Sequence, residues 1–209
     1  MEVIRHGNLI INCFTNQFKK SNSYTLEISG VEGVWLFDIG DSEELLMYIS
    51  KMYVWGVFLT HSHFDHIYNI KLLQKHHPEC IIYGSEKCIQ WLSNDKRNLS
   101  FYYEHPLIFT PTLQKLALSE KSIVLLAENI FVQVLETPGH NEDCLSYKVL
   151  DCLVTGDSYI PNVPPVTKLK GGNKEEYFMS LSKIKSLINS NTVLLPGHGP
   201  IFKNFNISI

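Results

Sequence analysis

The run His61-Ser62-His63-Phe64-Asp65-His66 lies between an apolar stretch, Val54–Thr60, and a stretch with helical spacing, Ile67–His76. A fold for this chain must therefore pass from strand to helix through three imidazoles and a carboxylate. So dense a group is poorly explained as ordinary core or surface. Imidazole and carboxylate are, however, the ligands that zinc and similar borderline metals favour. In a turn, His61 and His63 can point the same way while Asp65 and His66 diverge towards a neighbouring point. That division suits two adjacent ions better than one.

Three later fragments repeat the pattern of a strand that ends on a ligand. Phe131–Glu136 leads into Thr137-Pro138-Gly139-His140, Leu153–Thr155 into Gly156-Asp157, and Val193–Leu195 into Pro196-Gly197-His198-Gly199-Pro200. A glycine precedes each ligand, where it lets the backbone turn sharply. Alone, such a His or Asp reads as a cap or turn residue. Four strand ends that each offer a ligand form a constellation. His6, His76, His77 and His105 lack this setting and are assigned no role.

The rest of the chain supplies a scaffold of mixed type. Val3–Ile11, Tyr24–Ile28, Val34–Phe37, Cys80–Tyr83 and Ser146–Val149 read as further strands, rich in β-branched and aromatic residues. Helical spacing marks Ser42–Met52, Glu86–Leu92 and Lys174–Ile188, the last with a one-sided stripe at Phe178, Leu181, Ile184 and Leu187. Sheets covered by helices, an α+β arrangement, fit this mixture better than a bundle or a pure β barrel. With 209 residues, one domain over 1–209 is expected. Within it, 93–122 reads as a loop insertion, with aromatics at Phe101, Tyr102 and Tyr103 and prolines at Pro106 and Pro111.

A net charge of −3 gives no global attraction to nucleic acid or anionic membrane, and no apolar run is long enough to span a bilayer. Five cysteines without a C-x-x-C pair suit reduced thiols, and Met1–Asn12 does not read as a signal peptide. A cytoplasmic protein is expected on these grounds.

The ordered set of H-x-H-x-D-H, G-H, G-D and G-H resembles the metallo-β-lactamase superfamily, from Leu36-Phe37-Asp38-Ile39-Gly40 through His198. The resemblance implies a four-layer αββα sandwich and two divalent metal ions, with zinc expected and iron or manganese as alternatives. It implies that His61, His63 and His140 hold one ion, that Asp65, His66 and His198 hold the other, and that Asp157 bridges them. Asp38 would support the site from behind the ligands, although its residue type and place equally suit a plain turn carboxylate. A water shared by two ions about 3.5–4 Å apart loses a proton near neutral pH and becomes a nucleophile. Asp65 would orient it.

The resemblance also narrows the reaction. An aspartate at 157, where true β-lactamases carry Cys or Ser, points towards the glyoxalase II, lactonase and ribonuclease Z branches. Pro200–Ile209 is too short for glyoxalase II's C-terminal helical domain, and no basic arm for tRNA precursors is evident. A small thioester, lactone or other ester is therefore the expected substrate, with nucleic acid not expected and a homodimer allowed for. A mononuclear iron oxidoreductase of the persulfide dioxygenase type and a phosphodiesterase or nuclease are the competing enzymes. After His140, Asn141 stands where many relatives have Thr, and Cys144 is unusual, either a packed residue or an oxidation-sensitive thiol. Ser158–Gly172 offers Tyr159, Asn162, Lys168 and Lys170 either to an anionic substrate or to solvent.

Overall fold

A computed structural model describes residues 1–110 and 114–203, and its contacts divide the chain into two compact units, Met1–Ala117 and Leu118–Ile209. Among the described residues no helix is long and apolar enough to cross a membrane.

The first unit is built on a seven-stranded sheet whose strands lie side by side in chain order. Strands β1 (Glu2–His6), β2 (Leu9–Thr15), β3 (Asn22–Ile28) and β4 (Val34–Phe37) pair antiparallel. From β4 onward β5 (Val54–Phe58), β6 (Ile81–Gly84) and β7 (Lys115–Ala117) add in parallel. Parallel neighbours require crossovers, and these carry the helices α1 (Glu43–Ile49), α2 (Phe64–Ile67), α3 (Ile70–His76) and α4 (Glu86–Trp91). Leu36, Val57 and Ile82 of the strands form one buried cluster with Leu45 and Ile49 of α1 and Ile70 and Leu73 of α3. Phe37, Phe58 and Tyr83 stack in register on neighbouring strands, with ring centroids 5.3 and 4.5 Å apart.

The second unit has five strands in the order β12-β11-β10-β9-β8. Strands β8 (Ile123–Ala127), β9 (Ile130–Glu136), β10 (Leu145–Val149) and β11 (Cys152–Gly156) form an antiparallel meander. Helix α5 (Lys174–Ser186) then returns the chain to β12 (Val193–Pro196), which pairs parallel with β11. Asn173 caps α5 by accepting from Glu176 N, with Glu175 and Glu176 in the first turn and Lys183 and Lys185 in the last. Ile184 of α5 packs with Leu153 and Leu194 of the sheet.

Four elements differ from the sequence reading. The single run Val3–Ile11 is a hairpin, because Gly7 takes a positive φ of 57° and His6 pairs with Leu9 across it. The helical stretch beyond His66 begins earlier and breaks in two, as α2 and α3. Strand β7 lies inside 93–122, of which residues 111–113 are outside the described residues. Its three side chains are all exposed, so backbone pairing to β6 alone recruits it and no alternation announces it. Strand β8 was also unread. Its outward Ile123 and Leu125 are as apolar as its inward Leu126, so burial alternates along it without any alternation of residue type.

Candidate metal centre

In the first unit, β4 and β5 run parallel and so end at the same edge, which brings Asp38 and His61 together. Asp38 N donates to Phe58 O at 3.0 Å, and Asp38 itself takes a positive φ of 59°. An aspartate in this left-handed region is uncommon and marks a constrained position. The constraint aims its carboxylate. Oδ1 accepts from Thr60 N at 2.8 Å, and Oδ2 accepts from the Thr60 hydroxyl and from His66 Nδ1, each at 2.8 Å. The Thr60 hydroxyl, having given its proton to Asp38, is an acceptor for His61 Nδ1 at 3.0 Å.

These contacts decide the tautomers. A carboxylate can only accept, so Nδ1 of His66 carries the proton and the lone pair lies on Nε2. The same logic passes through Thr60 to His61. His63 is the N-cap of α2, yet its ring makes no cap hydrogen bond. The three imidazoles are buried and clustered, with His61 4.5 Å from His63 and 4.3 Å from His66 between ring centroids. Asp65, in the first turn of α2, has Oδ2 3.7 Å from His66 Nε2, and its backbone carbonyl accepts from Ser21 Oγ at 2.8 Å.

In the second unit β9 and β11 are both antiparallel to β10, and β12 is parallel to β11. All three strands therefore run the same way and deliver His140, Asp157 and His198 to one edge. Gly197 N donates to Gly156 O at 2.8 Å and locks the last two turns side by side. Gly139, at φ 128°, lets α5 approach so closely that any Cβ there would overlap the Tyr177 backbone. Beneath His140, the Thr137 hydroxyl meets the hydroxyls of Ser146 and Ser158 at 2.9 and 3.0 Å. His140 Nδ1 donates to Val166 O at 2.9 Å, which again leaves the lone pair on Nε2.

Asp157 Oδ2 lies 3.5 Å from His140 Nε2 and 3.4 Å from His198 Nε2. These separations are long for hydrogen bonds. They match the roughly 3.3–3.5 Å between ligands of a tetrahedral ion with bonds of about 2.0–2.1 Å. The donor types, tautomers and spacings in each unit fit divalent metal ions.

Comparison with known proteins agrees with this chemistry. The family model of the metallo-beta-lactamase superfamily matches residues 53–198, more than half of the chain. The chain belongs to that superfamily. A probable metallo-hydrolase of Streptococcus pyogenes serotype M6 is 28% identical over 69% of this chain and 64% of its own length. The probable polyketide biosynthesis zinc-dependent hydrolase PksB of Bacillus subtilis is 29% identical over 68% of the chain and 56% of its own. A hydroxyacylglutathione hydrolase of Pseudoalteromonas translucida is 24% identical over 81% of the chain and 58% of its own. The chain thus spans less than two thirds of the length of each of these relatives. The crystal structure of the BLEG-1 B3 metallo-beta-lactamase superposes with a TM-score of 0.81, covering 92% of this chain and 93% of that one at 23% identity. The chain therefore has the α+β metallo-β-lactamase fold.

Thr60 and Val166 are the residues that reading the sequence alone missed. Thr60 adjoins the histidine run and could have been noticed there. Val166 acts through its carbonyl, which every residue has, so no residue type signals it. Cys144 is 3% exposed, and burial pushes its thiol well above the ordinary value, with the Asp143 charge adding to the shift. It is a packed, protonated residue rather than a reactive thiolate.

Proposed function

We propose that the chain is a binuclear metal-dependent hydrolase acting on a small thioester, lactone or other ester. His61, His63 and His140 hold one ion, Asp65, His66 and His198 the other, and Asp157 is the shared ligand. The observation that carries this reading is the placement of Asp157 Oδ2 within 3.5 Å of both His140 Nε2 and His198 Nε2, imidazoles that the family motif assigns to different ions. When bound, such a pair lowers the pKa of a water towards neutrality and polarises the substrate's carbonyl. Zinc is the metal we propose, in line with the name of the Bacillus relative.

The chain's own residues do the rest. Asp38 holds His66 directly and His61 through Thr60, so both present Nε2 without reorganisation. Asp65, joined to the loop before β3 through Ser21, accepts a hydrogen bond from the attacking water and orients its lone pair. The ester class is supported by the hydroxyacylglutathione hydrolase among the relatives.

Elemental analysis of the purified protein, with an ester, thioester, lactone and phosphodiester panel on the same sample, tests the reading. Two equivalents of zinc and ester or thioester turnover are expected, and His63→Ala should lose most activity and about one equivalent of metal. One iron per chain with oxygen consumption would establish the oxidoreductase instead. Turnover confined to phosphodiesters would establish the nuclease.

A further inference from the structure

The segment between Asp157 and α5 is a strap whose side chains are largely in solvent, with Val163, Val166 and Leu169 each more than 40% exposed. Burial of an apolar face does not explain its course. Its ends are tied to the His140 turn, by Ser158 Oγ donating to Thr137 O at 2.9 Å and by Asn173 N donating to Gly139 O at 2.8 Å. Its middle supplies the carbonyl of Val166 to His140 Nδ1.

What holds Val166 in place is a close approach at the far end of the strap. Gly171 has φ 92°, and a Cβ there would fall well inside contact distance of Asn141 Oδ1. Asn141 is 1% exposed, its Oδ1 accepts from Glu142 N at 3.0 Å, and its Nδ2 is buried with no hydrogen-bond partner among the described residues. A buried amide nitrogen left in this way costs about 1–3 kcal/mol, so stability alone does not account for the residue. Gly172 N donates to Leu169 O at 2.9 Å, and a Cβ on Gly172 would overlap Thr167 O. Contacts thus run from Asn141 through Gly171, Gly172 and Thr167 to Val166, and back to the neighbour of Asn141, His140.

We propose that Asn141 and Gly171 are positioning residues, which seat the strap 158–172 so that the Val166 carbonyl holds His140 in its Nδ1–H tautomer and aims Nε2. This rests on the reading that His140 is a metal ligand. The residue that departs from the family's usual Thr is then the one that docks the strap, and only glycine fits opposite it. The proposed partner of the lock is a divalent cation, whose affinity the strap sets.

The test compares wild type, Gly171→Ala, Asn141→Ala, the double variant and His140→Ala by zinc titration against a competing chelator. Nitrogen-15 NMR of the His140 ring is recorded on the metal-free protein. Gly171→Ala should bind one zinc about 10–100-fold more weakly and lose the single-tautomer signal, with its circular dichroism unchanged. The double variant, freed of the overlap, should recover part of both, a non-additive outcome expected of residues in contact. Should Gly171→Ala not fold, Asn141→Ala decides: faster amide exchange in 158–172 and a mixed His140 tautomer support the lock. Wild-type zinc affinity and tautomer in Gly171→Ala, or in Asn141→Ala if that variant must decide, overturn the lock. Unchanged zinc binding in His140→Ala overturns the underlying ligand assignment instead.

Discussion

Asp38 is the residue that organises the imidazoles at the strand ends of the first unit. Its carboxylate accepts three hydrogen bonds, two from Thr60 and one from His66, and from a backbone at φ 59° these set the tautomers of two histidines. Removing it leaves His66 Nδ1 and the Thr60 hydroxyl to find other acceptors. Asp38→Ala should therefore lower metal affinity by about 10–100-fold, while Asp38→Asn, which retains one acceptor oxygen, should lose less. Equilibrium dialysis of the two variants against zinc checks the order, and equal affinities would show that the carboxylate does not act through the imidazoles. Part of this was legible beforehand: the position of Asp38 after an early strand admitted both a turn role and a supporting role. The 2.8 Å contacts with Thr60 and His66 are the observation that supports the second of these, and they could not be read from residue types.

Among the elements, α5 is the one that couples stability to the site. Its N-cap, Asn173, satisfies Glu176 N through the side chain and reaches the Gly139 carbonyl through its own N–H. Asn173→Ala should cost about 1 kcal/mol, read as a lower urea midpoint at unchanged slope. Ser180 Oγ also donates to Pro138 O at 2.7 Å, so the helix grips the turn that bears His140 at two points. The helix itself is readable from the spacing of Leu181, Ile184 and Leu187, but Phe178, read into the same stripe, is exposed, and Tyr177 is the aromatic that α5 buries. Its grip on the turn is not readable, because the contact depends on Gly139 having no Cβ, and a glycine in a sequence does not say which neighbour comes close. The edge strands β7 and β8 escape a reading by periodicity for other reasons: β7 exposes all three of its side chains, and β8 carries apolar residues on its exposed side as well as its buried one.

Over the whole molecule the buried acids set how stability depends on pH. Burial raises Cys13, Cys80 and Cys152 from 9.0 to about 12, and Tyr48 from 10.0 to about 12. For Tyr48, the hydrogen bond to Glu27 and its charge add to the shift. The unfolded chain releases these protons near the ordinary values while the folded chain keeps them. Stability is thus fully present below about pH 9 and is lost progressively as pH climbs towards 12. Guanidinium midpoints at pH 8, 9.5 and 11 should fall in that order, and a flat series would mean that the thiols and phenols are less buried than described. Metal binding should add to stability by mass action, so a chelator is expected to lower the melting temperature at pH 8.

The sequence by itself determined which candidate ligands the chain carries and their order, because metal chemistry favours particular side chains and these stand just past strand ends. It equally determined that the chain mixes apolar strands with helices, since burial imposes the two periods along the chain. Tertiary structure alone decided how the ligands are aimed. The φ of Asp38, the relay through Thr60, the Val166 carbonyl and the approach of Gly171 to Asn141 all depend on backbone groups or on space that only the folded chain defines. Backbone atoms are the same at every position, so their roles cannot be spelled in residue types.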